Sequence, residues 1–336
     1  MFGRIYDAFA FSERRWLAPA ITAGLVALVV LTIVAWYWSR EPEVFWVEER
    51  TEETSGTIGF ATTNTLLRVA KTLIEKPGGL LVNDVAPPSV FLDNMPSWEI
   101  GALMQVRDLA RILQNDYSRS QSQSTTDADL VDAEAAFFIG YDSWIFPAAE
   151  NKYAEGIASL ESYQARLLDA GNADAQFFAR ADNLREWLGL VEKRLGNLSQ
   201  RLTASVGQTR VNTDLAGESA ASAGGGRPAS ADVVVKTSWW EIDNVFYEAR
   251  GSAWALVHLL RATQFDFADV LEDKNATVSL RQIIRELEAS LAPIRSPVIL
   301  NGSGYGMFAN HSLVMASYLS RANAAVIDLR ELLDQG

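Results

Sequence analysis

The clearest pattern in this chain is a seven-residue repeat of apolar positions, which occurs in three separate segments. Within each segment the apolar residues are spaced alternately three and four positions apart, so they fall along one face of an α-helix. The segments are residues 177–202, 239–260 and 311–332. Such seams are typical of helices that cross at about 20°, as in a bundle. The sequence therefore predicts an all-α fold in which heptad-patterned antiparallel helices form a helical bundle.

Further helices are predicted from shorter patterns and from their end signals. Thr62 and Thr63 can cap a helix that stops at Pro77, and Ser238 with Glu241 has the spacing of a capping box at the start of the second seam. Proline-rich residues between the first two of these helices predict an irregular connection. The additional helices are predicted over residues 62–76, 98–117, 153–167 and 280–291.

The breaks between helices predict how the chain is organised. The segment 153–167 is separated from the first seam by a short polar break, which predicts a helical hairpin. Residues 214–237 are rich in Gly, Ala and Ser and predict a flexible linker. This linker divides a helical region, 62–213, from a second one, 238–336. The two regions are expected to pack together, although two separate domains are the alternative.

A heptad seam has two possible partners, another helix of the same chain or a second chain. Each seam lasts only about three and a half heptads, and the breaks between the helices are short. These features favour a bundle within one chain. An intermolecular coiled coil, and with it a homo-oligomer, is the alternative.

An uncharged apolar segment near the N-terminus predicts a transmembrane helix over residues 17–38. A helix of this length spans about 33 Å, close to the roughly 30 Å hydrocarbon core of a bilayer. Trp16 marks one edge, and Trp36, Tyr37 and Trp38 mark the other, as in the aromatic belts of membrane proteins. A cleaved signal peptide is disfavoured because the apolar run is long and ends in bulky aromatic residues. The sequence thus predicts contact with the lipid bilayer through residues 17–38.

The charges beside this segment predict its orientation. Arg4, Arg14 and Arg15 precede it, whereas residues 39–61 form a polar, acidic stretch that predicts a stalk. Because basic residues favour the cytoplasmic side, residues 1–16 are expected in the cytoplasm and the large domain across the membrane.

Composition removes several classes of chemistry. The chain of 336 residues has no cysteine, only two histidines, and a formal net charge of −13. Disulfides and thiolate metal sites are therefore excluded, and no metal site or cofactor is predicted. The acidic character argues against binding to nucleic acid.

A glycine-rich loop before the last seam is the best candidate binding site in the sequence. Glycines next to large apolar residues indicate a structured loop, and the following helix offers free N–H groups and a positive dipole end. Such a site could bind a carboxylate or phosphate of a partner, or one of this chain's own acidic side chains. The candidate binding residues are Asn301, Gly302, Ser303, Gly304, Asn310 and His311.

Several longer words in the sequence carry a family resemblance. They are residues 36–42, 92–99, 118–124, 301–304 and 320–325. With these words the chain resembles a family of bacterial membrane-anchored proteins, domain of unknown function 2333. The resemblance covers nearly the whole chain. It implies a Gram-negative inner-membrane protein whose domain faces the periplasm, and it implies no activity.

Three functional hypotheses follow. The preferred one is a membrane-tethered periplasmic scaffold or protein-interaction module of the cell envelope, because no catalytic constellation stands out and a protein partner is expected. The second is an envelope hydrolase that uses carboxylates with His311. The third is a regulatory subunit that binds a partner helix along a heptad seam. No catalytic residue is assigned, and an enzyme is disfavoured.

Overall fold

The structure is a computed structural model that describes residues 3–47, 57–120, 125–169, 174–211, 232–303 and 305–335. Its helices are α1 (Gly3–Trp38), α2 (Phe60–Glu75), α3 (Asn94–Ile112), α4 (Ala128–Phe137), α5 (Ala149–Leu168), α6 (Ala181–Thr203), α7 (Ile242–Asp266), α8 (Ala268–Asp273), α9 (Thr277–Ser290) and α10 (His311–Asp334). A π-helical turn, Leu113–Tyr117, extends α3, and 3-10 turns cover Ser89–Phe91, Ala204–Val206 and Trp239–Glu241. The predicted all-α helical bundle is confirmed.

Helix α7 lies at the centre of the domain. All its residues from 249 to 260 are buried, as expected for a helix enclosed on every side. Helices α2, α3 and α9 pack around it. Buried apolar residues from both sides of the predicted linker belong to one hydrophobic cluster, so residues 57–211 and 232–335 share a core in this structure.

The outer part of the bundle is built from helix pairs. The heptad-patterned helices α6 and α10 run antiparallel, because Ser199 near the end of α6 bonds to Ala316 near the start of α10. By contrast, α3 and α7 run in the same direction. Gly101 and Glu248 meet near their starts, and Tyr117 and Phe267 meet after their ends. The prediction of antiparallel packing therefore holds for α6 and α10 but not for α3 and α7.

The predicted hairpin between residues 153–167 and the first seam is wrong. Helix α5 packs against α4 and α2, whereas α6 packs against α10. The connection between α5 and α6 instead crosses one end of the bundle, where the Tyr163 hydroxyl donates to the Gln176 carbonyl at 2.6 Å. Phe177, counted in the seam, precedes α6 and packs edge-on against Tyr117 and Phe267.

Two predicted caps are also wrong. Helix α2 starts at Phe60 after Gly59, so Thr62 and Thr63 lie inside it and are buried. Ser238 makes no side-chain cap bond, and a 3-10 turn separates it from α7. The stop before Pro77 is confirmed, because α2 ends at Glu75.

The predicted linker contains a strand at its end. Strands β1 (Gln208–Val211) and β2 (Asp232–Val235) form an antiparallel pair in which Gln208 faces Val235 and Val211 faces Asp232. A run of three valines explains β2, because β-branched residues favour strands. Residues 212–231, most of the predicted linker, lie outside the described residues.

Candidate functional site

The predicted site residues lie together before and at the start of α10. Asn301 and Asn310 pair as an isolated antiparallel bridge, and the Asn310 side chain donates to the Gly302 carbonyl. Ser303 closes a turn, since its carbonyl accepts from the Gly306 N–H at 2.8 Å. Gly304 lies outside the described residues.

The start of α10 is bonded to this loop by its own backbone donors. The His311 N–H donates to the Leu300 carbonyl at 2.8 Å, and the Ser312 N–H donates to Asn301 Oδ1 at 3.1 Å. The Leu313 N–H donates to Asn310 Oδ1 at 2.9 Å, which makes Asn310 a regular N-cap. The first donors of the helix, which an anion would need, are therefore occupied by the chain itself.

His311 is tied to the same loop through its ring. Its Nδ1 accepts from the Leu300 N–H at 3.0 Å. The ring also lines an open groove of about 320 Å³ with Phe246, Arg250 and Tyr318. None of the residues that line this groove is an Asp or Glu, so the His311–carboxylate pair of the hydrolase hypothesis is not formed there. These contacts favour a structural role for the loop, and binding of a partner to it remains a prediction.

A second constellation, which the sequence did not suggest, joins the N-terminal segment to the core. Residues 39–47, predicted as the start of a stalk, lie along α7, and we call them the strap. Arg250 binds both carboxylate oxygens of Glu41 at 2.7 and 2.8 Å. Its guanidinium also donates to the carbonyls of Ser290, Leu291 and Ala292 at the end of α9. Arg250 thus links the strap, α7 and α9.

Further along α7, a buried histidine holds the strap by its backbone. The Phe45 N–H donates to His258 Nε2 at 3.0 Å, and His258 Nδ1 lies 2.6 Å from the Trp254 carbonyl. Since Nε2 accepts, the proton of the neutral ring is on Nδ1. The Phe45 ring stacks on His258 with centroids 3.8 Å apart. Burial is the main reason that the pKa of His258 is lowered to about 3; the bond to the Trp254 carbonyl opposes this shift, and the nearby charges of Arg261 and Arg68 add to it.

The turn after α2, beside which the strap begins, contains a buried ion pair. Lys76 Nζ lies 2.5 Å from Glu99 Oε1, and both side chains are almost fully buried. The Glu99 carboxylate also accepts from the N–H groups of Leu81 and Val82. Burial raises the pKa of Glu99, and Lys76 opposes this effect. The pair fixes the turn after α2, where Gly78 has a φ of 88° and lies against the Trp38 ring.

The strap defines the two ends of the domain. It begins beside Gly78 and runs along α7 from Arg250 toward His258, so the start of α7 lies at the end where α1 joins. We call this the anchor end. The opposite end, where the Thr62 N–H donates to Asp266 Oδ2 at 2.6 Å, is the far end.

A groove at the far end contains an ion-pair cluster. It has a volume of about 680 Å³. Arg166 lies 2.7 Å from both Asp127 and Asp129, which raises its pKa. Asp127 is at the same time the N-cap of α4. This geometry explains the cluster as a structural tie between α4 and α5.

Helix α1 has the properties of a membrane span. Its part Ala18–Trp38 has a mean hydropathy of 2.4, and no residue of its apolar window is fully buried, although Trp38 at its end packs partly buried against the domain. By length and composition it can cross a membrane, and a signal sequence near an N-terminus has the same properties. In the described parts of the chain no group of His, Asp and Glu side chains is arranged for a metal ion.

The fold and these contacts define a class of protein: a helical domain bonded to an apolar N-terminal helix of membrane-spanning length. A family profile described as an uncharacterized protein conserved in bacteria, domain of unknown function 2333, matches residues 11–336. The chain belongs to this family, as the sequence resemblance predicted. No curated protein and no solved structure is detectably similar to it.

The strap was missed because its sequence is typical of a solvated linker. The predicted stalk, residues 39–61, contains six glutamates, and the partners Arg250 and His258 come more than two hundred positions after the strap. One signal was present. Phe45 and Trp46 interrupt the acidic run, and a freely solvated stalk has no use for two adjacent aromatic residues.

Proposed function

We propose that this protein is a single-pass membrane protein whose helical domain serves as a scaffold or interaction module at the surface of the bacterial inner membrane, on the periplasmic side. The observation that carries the proposal is the joint between α1 and the domain. Trp38, the last residue of the apolar helix, packs against the core, and the next residues are bonded to α7. The domain is therefore coupled to α1 without a free spacer.

This joint argues for retention of α1. A signal peptide that is removed by cleavage is not part of the mature fold. Trp38 at the end of α1, by contrast, fills space beside Gly78 and Leu81. The bias of Arg4, Arg14 and Arg15 toward the N-terminal side supports a cytoplasmic N-terminus.

The core supports a scaffold more than a regulatory subunit that binds a helix along a seam. The seam residues of α6 and α10 are buried against each other, for example Leu188, Leu195, Ala322 and Leu329. A protein partner would thus have to use other surfaces, and a homo-oligomer through an open heptad seam loses its main support.

The test uses the full chain with a different epitope tag at each end. Both tags should remain on one membrane-bound polypeptide after an alkaline carbonate wash, and protease added to spheroplasts should remove the C-terminal tag and spare the N-terminal one. A mature protein without the N-terminal tag would identify α1 as a signal sequence. Protection of both tags would place the domain in the cytoplasm and overturn the orientation.

The scaffold role has its own measurement. Photo-crosslinking from exposed positions of the domain in living cells should give discrete products with defined envelope proteins. A matched crosslinker at buried Leu256 should give none. If no exposed position gives a discrete product, the interaction role is wrong even where the topology is right.

A further inference from the structure

The exposed apolar side chains of the domain are gathered at the anchor end. Outside α1 and the strap, most of the large apolar residues that are more than half exposed in the described chain belong to loops of this end. They are Val85, Val90, Phe91, Trp144, Ile145, Phe146, Trp239, Trp240, Val298, Tyr305, Met307 and Phe308. Val314, in the first turn of α10, lies beside them, and Val278 at the start of α9 is the exception.

Four loops that are distant in sequence contribute to this surface. The loop after α2 bonds to the loop before α5, since Asn83 Nδ2 donates to the Ser143 carbonyl at 3.0 Å. Asp93, Trp240 and Val298 line one groove, which joins the loop after α2 to the start of α7 and to the loop before α10. The four loops therefore form one continuous face, and we call it the aromatic face.

The side chains on this face are too exposed to be explained by the fold. Phe91 is 78% exposed, Trp240 77%, Phe146 90% and Met307 97%. Isolated exposed apolar residues are ordinary, but a contiguous set of this size marks a surface that is covered by something else.

The position of α1 identifies what covers it. Arg40 stacks 4.0 Å over the Trp36 ring, so a guanidinium and an indole mark the interface level at the end of the span. Trp38, two residues later, already packs on the domain beside Gly78. No spacer separates the bilayer interface from the aromatic face, because α1 leaves the domain beside Gly78, in one of the four loops that form this face.

We propose that the aromatic face is embedded in the interfacial layer of the bilayer that holds α1, so that the domain lies on the membrane and not above it. This inference rests on the proposed membrane span. Trp, Tyr and Phe are the side chains that prefer this layer, where an apolar ring can be buried while polar groups stay hydrated.

Charge favours zwitterionic lipid as the occupant and burial of rings as the driving interaction. Asp84, Asp93 and Glu241 lie on the loops of this end and Asp243 in the first turn of α7; together they outnumber Arg295 of the loop before α10, and such carboxylates oppose attraction to an anionic lipid surface. Binding should therefore depend little on salt.

The absence of cysteine from the chain makes a direct test possible. Four single-cysteine forms of the full chain, Phe146→Cys, Met307→Cys, Leu28→Cys and Val278→Cys, are labelled with an environment-sensitive fluorophore and reconstituted in phosphatidylcholine vesicles. Quenching by nitroxide lipids is then measured with the nitroxide either near the headgroup or deep in the acyl chain.

Labels at 146 and 307 should be quenched several-fold more strongly by the shallow nitroxide than the far-end label at 278. The label at 28 should be quenched most by the deep nitroxide. If 28 is embedded while 146 and 307 match 278, the span stands and the inference is wrong. If 28 is not embedded, the span itself fails. Burial of 146 and 307 in native membranes but not in vesicles would assign the face to a protein partner and overturn the lipid proposal.

Discussion

Two helix pairs in this domain are packed in different ways. In the α6–α10 pair, apolar side chains from heptad positions fill the interface, and Arg330 pairs with Glu192 at its edge. In the α3–α7 pair, the backbones themselves come together. A Cβ at Gly101 would lie 1.9 Å from the Glu248 carbonyl oxygen, and one at Gly251 would lie 1.9 Å from that of Trp98.

The difference shows which kind of interface a sequence reveals. A side-chain interface repeats a residue type every seven positions, and the repeat is visible without a structure. A backbone interface needs only a missing side chain at two positions far apart in the chain. It is completed by contacts such as Trp98 with Trp254, whose ring centroids are 5.0 Å apart, and Gln105 with Ser252.

Glycine-to-alanine substitutions should separate the two pairs most clearly. Gly101→Ala or Gly251→Ala places a methyl group in steric overlap with a backbone carbonyl oxygen of the other helix, so the two helices must move apart. We expect a loss of about 4 kcal/mol of unfolding free energy or a failure to fold. The measurement is urea unfolding of the full chain in detergent micelles, followed by circular dichroism.

The matched control is Gly196→Ala in α6. Its Cβ would lie 3.6 Å from Asn323 Nδ2, an ordinary contact, and alanine is favoured over glycine in a helix by about 1 kcal/mol. The variant should be as stable as the parent or slightly more so. Equal losses in the two helix pairs would contradict the distinction between them.

Removal of one arginine from each pair gives the next largest difference. Arg250→Ala leaves Glu41 and three carbonyls of the α9 end without their donor, and its side chain is only 6% exposed. Breaking a pair this buried should cost about 3 kcal/mol. Arg330→Ala removes an ion pair that is about one-third exposed and should cost less than about 1 kcal/mol. The same unfolding experiment ranks the two, and a reversed order would refute the central role of Arg250.

Acid should act on α7 through the strap and spare the α6–α10 pair. The pKa of His258 is about 3 in the folded chain, below the value of about 6.5 for a free imidazole. The neutral ring therefore stabilises the fold fully above pH 6.5, and this contribution falls as the pH drops toward 3. Between pH 6.5 and 5 the loss should be about 2 kcal/mol.

Hydrogen exchange measures this effect at the strap itself. The Phe45 amide should exchange faster as the pH falls from 6.5 to 5, after correction for the intrinsic rate, while the α10 amides that exchange through local opening keep their protection. In His258→Gln the overall pH dependence of unfolding should be weaker by about one proton. If the pH dependence of the unfolding free energy is unchanged in that variant, His258 is not the cause of the acid sensitivity.

Helix caps give the smallest expected difference. Asn310 caps α10, so Asn310→Ala should cost about 1 kcal/mol. Ser238 makes no cap bond before α7, and Ser238→Ala should be neutral. Thermal unfolding of the two variants compares them, and a loss at Ser238 equal to that at Asn310 would restore the predicted capping box.

The sequence predicted the helices better than their partners. The buried positions Leu184, Leu188, Leu195 and Leu202 of α6 follow its heptad, since one period fixes one helix face. The partner of that face is a matter of tertiary structure. A short break between α5 and α6 suggested a hairpin. In the structure the connection is instead bound to the end of α3, because Phe177 packs against Tyr117 and the Phe178 N–H donates to the Tyr117 carbonyl.

The candidate site was predictable only as a loop. Glycine spacing and Asn310 correctly located a structured turn before a capped helix. The sequence did not predict that Asn301, Asn310 and Leu300 accept the first N–H groups of α10. These bonds depend on a reversal of the chain that brings residues about ten positions apart into contact. The Lys76–Glu99 pair was invisible for a similar reason: each residue alone resembles any surface charge.

The place of the strap in the chain also sets an order of events during synthesis. Phe45 leaves the ribosome 213 residues before its acceptor His258. At about 5–20 residues per second, this separation corresponds to about 10–40 s. Throughout that interval α1 is complete while the strap lacks its acceptors and donors on α7. The bonds between the strap and α7 form only after α7 has been made, so a truncated or stalled chain carries the apolar helix without this part of the joint.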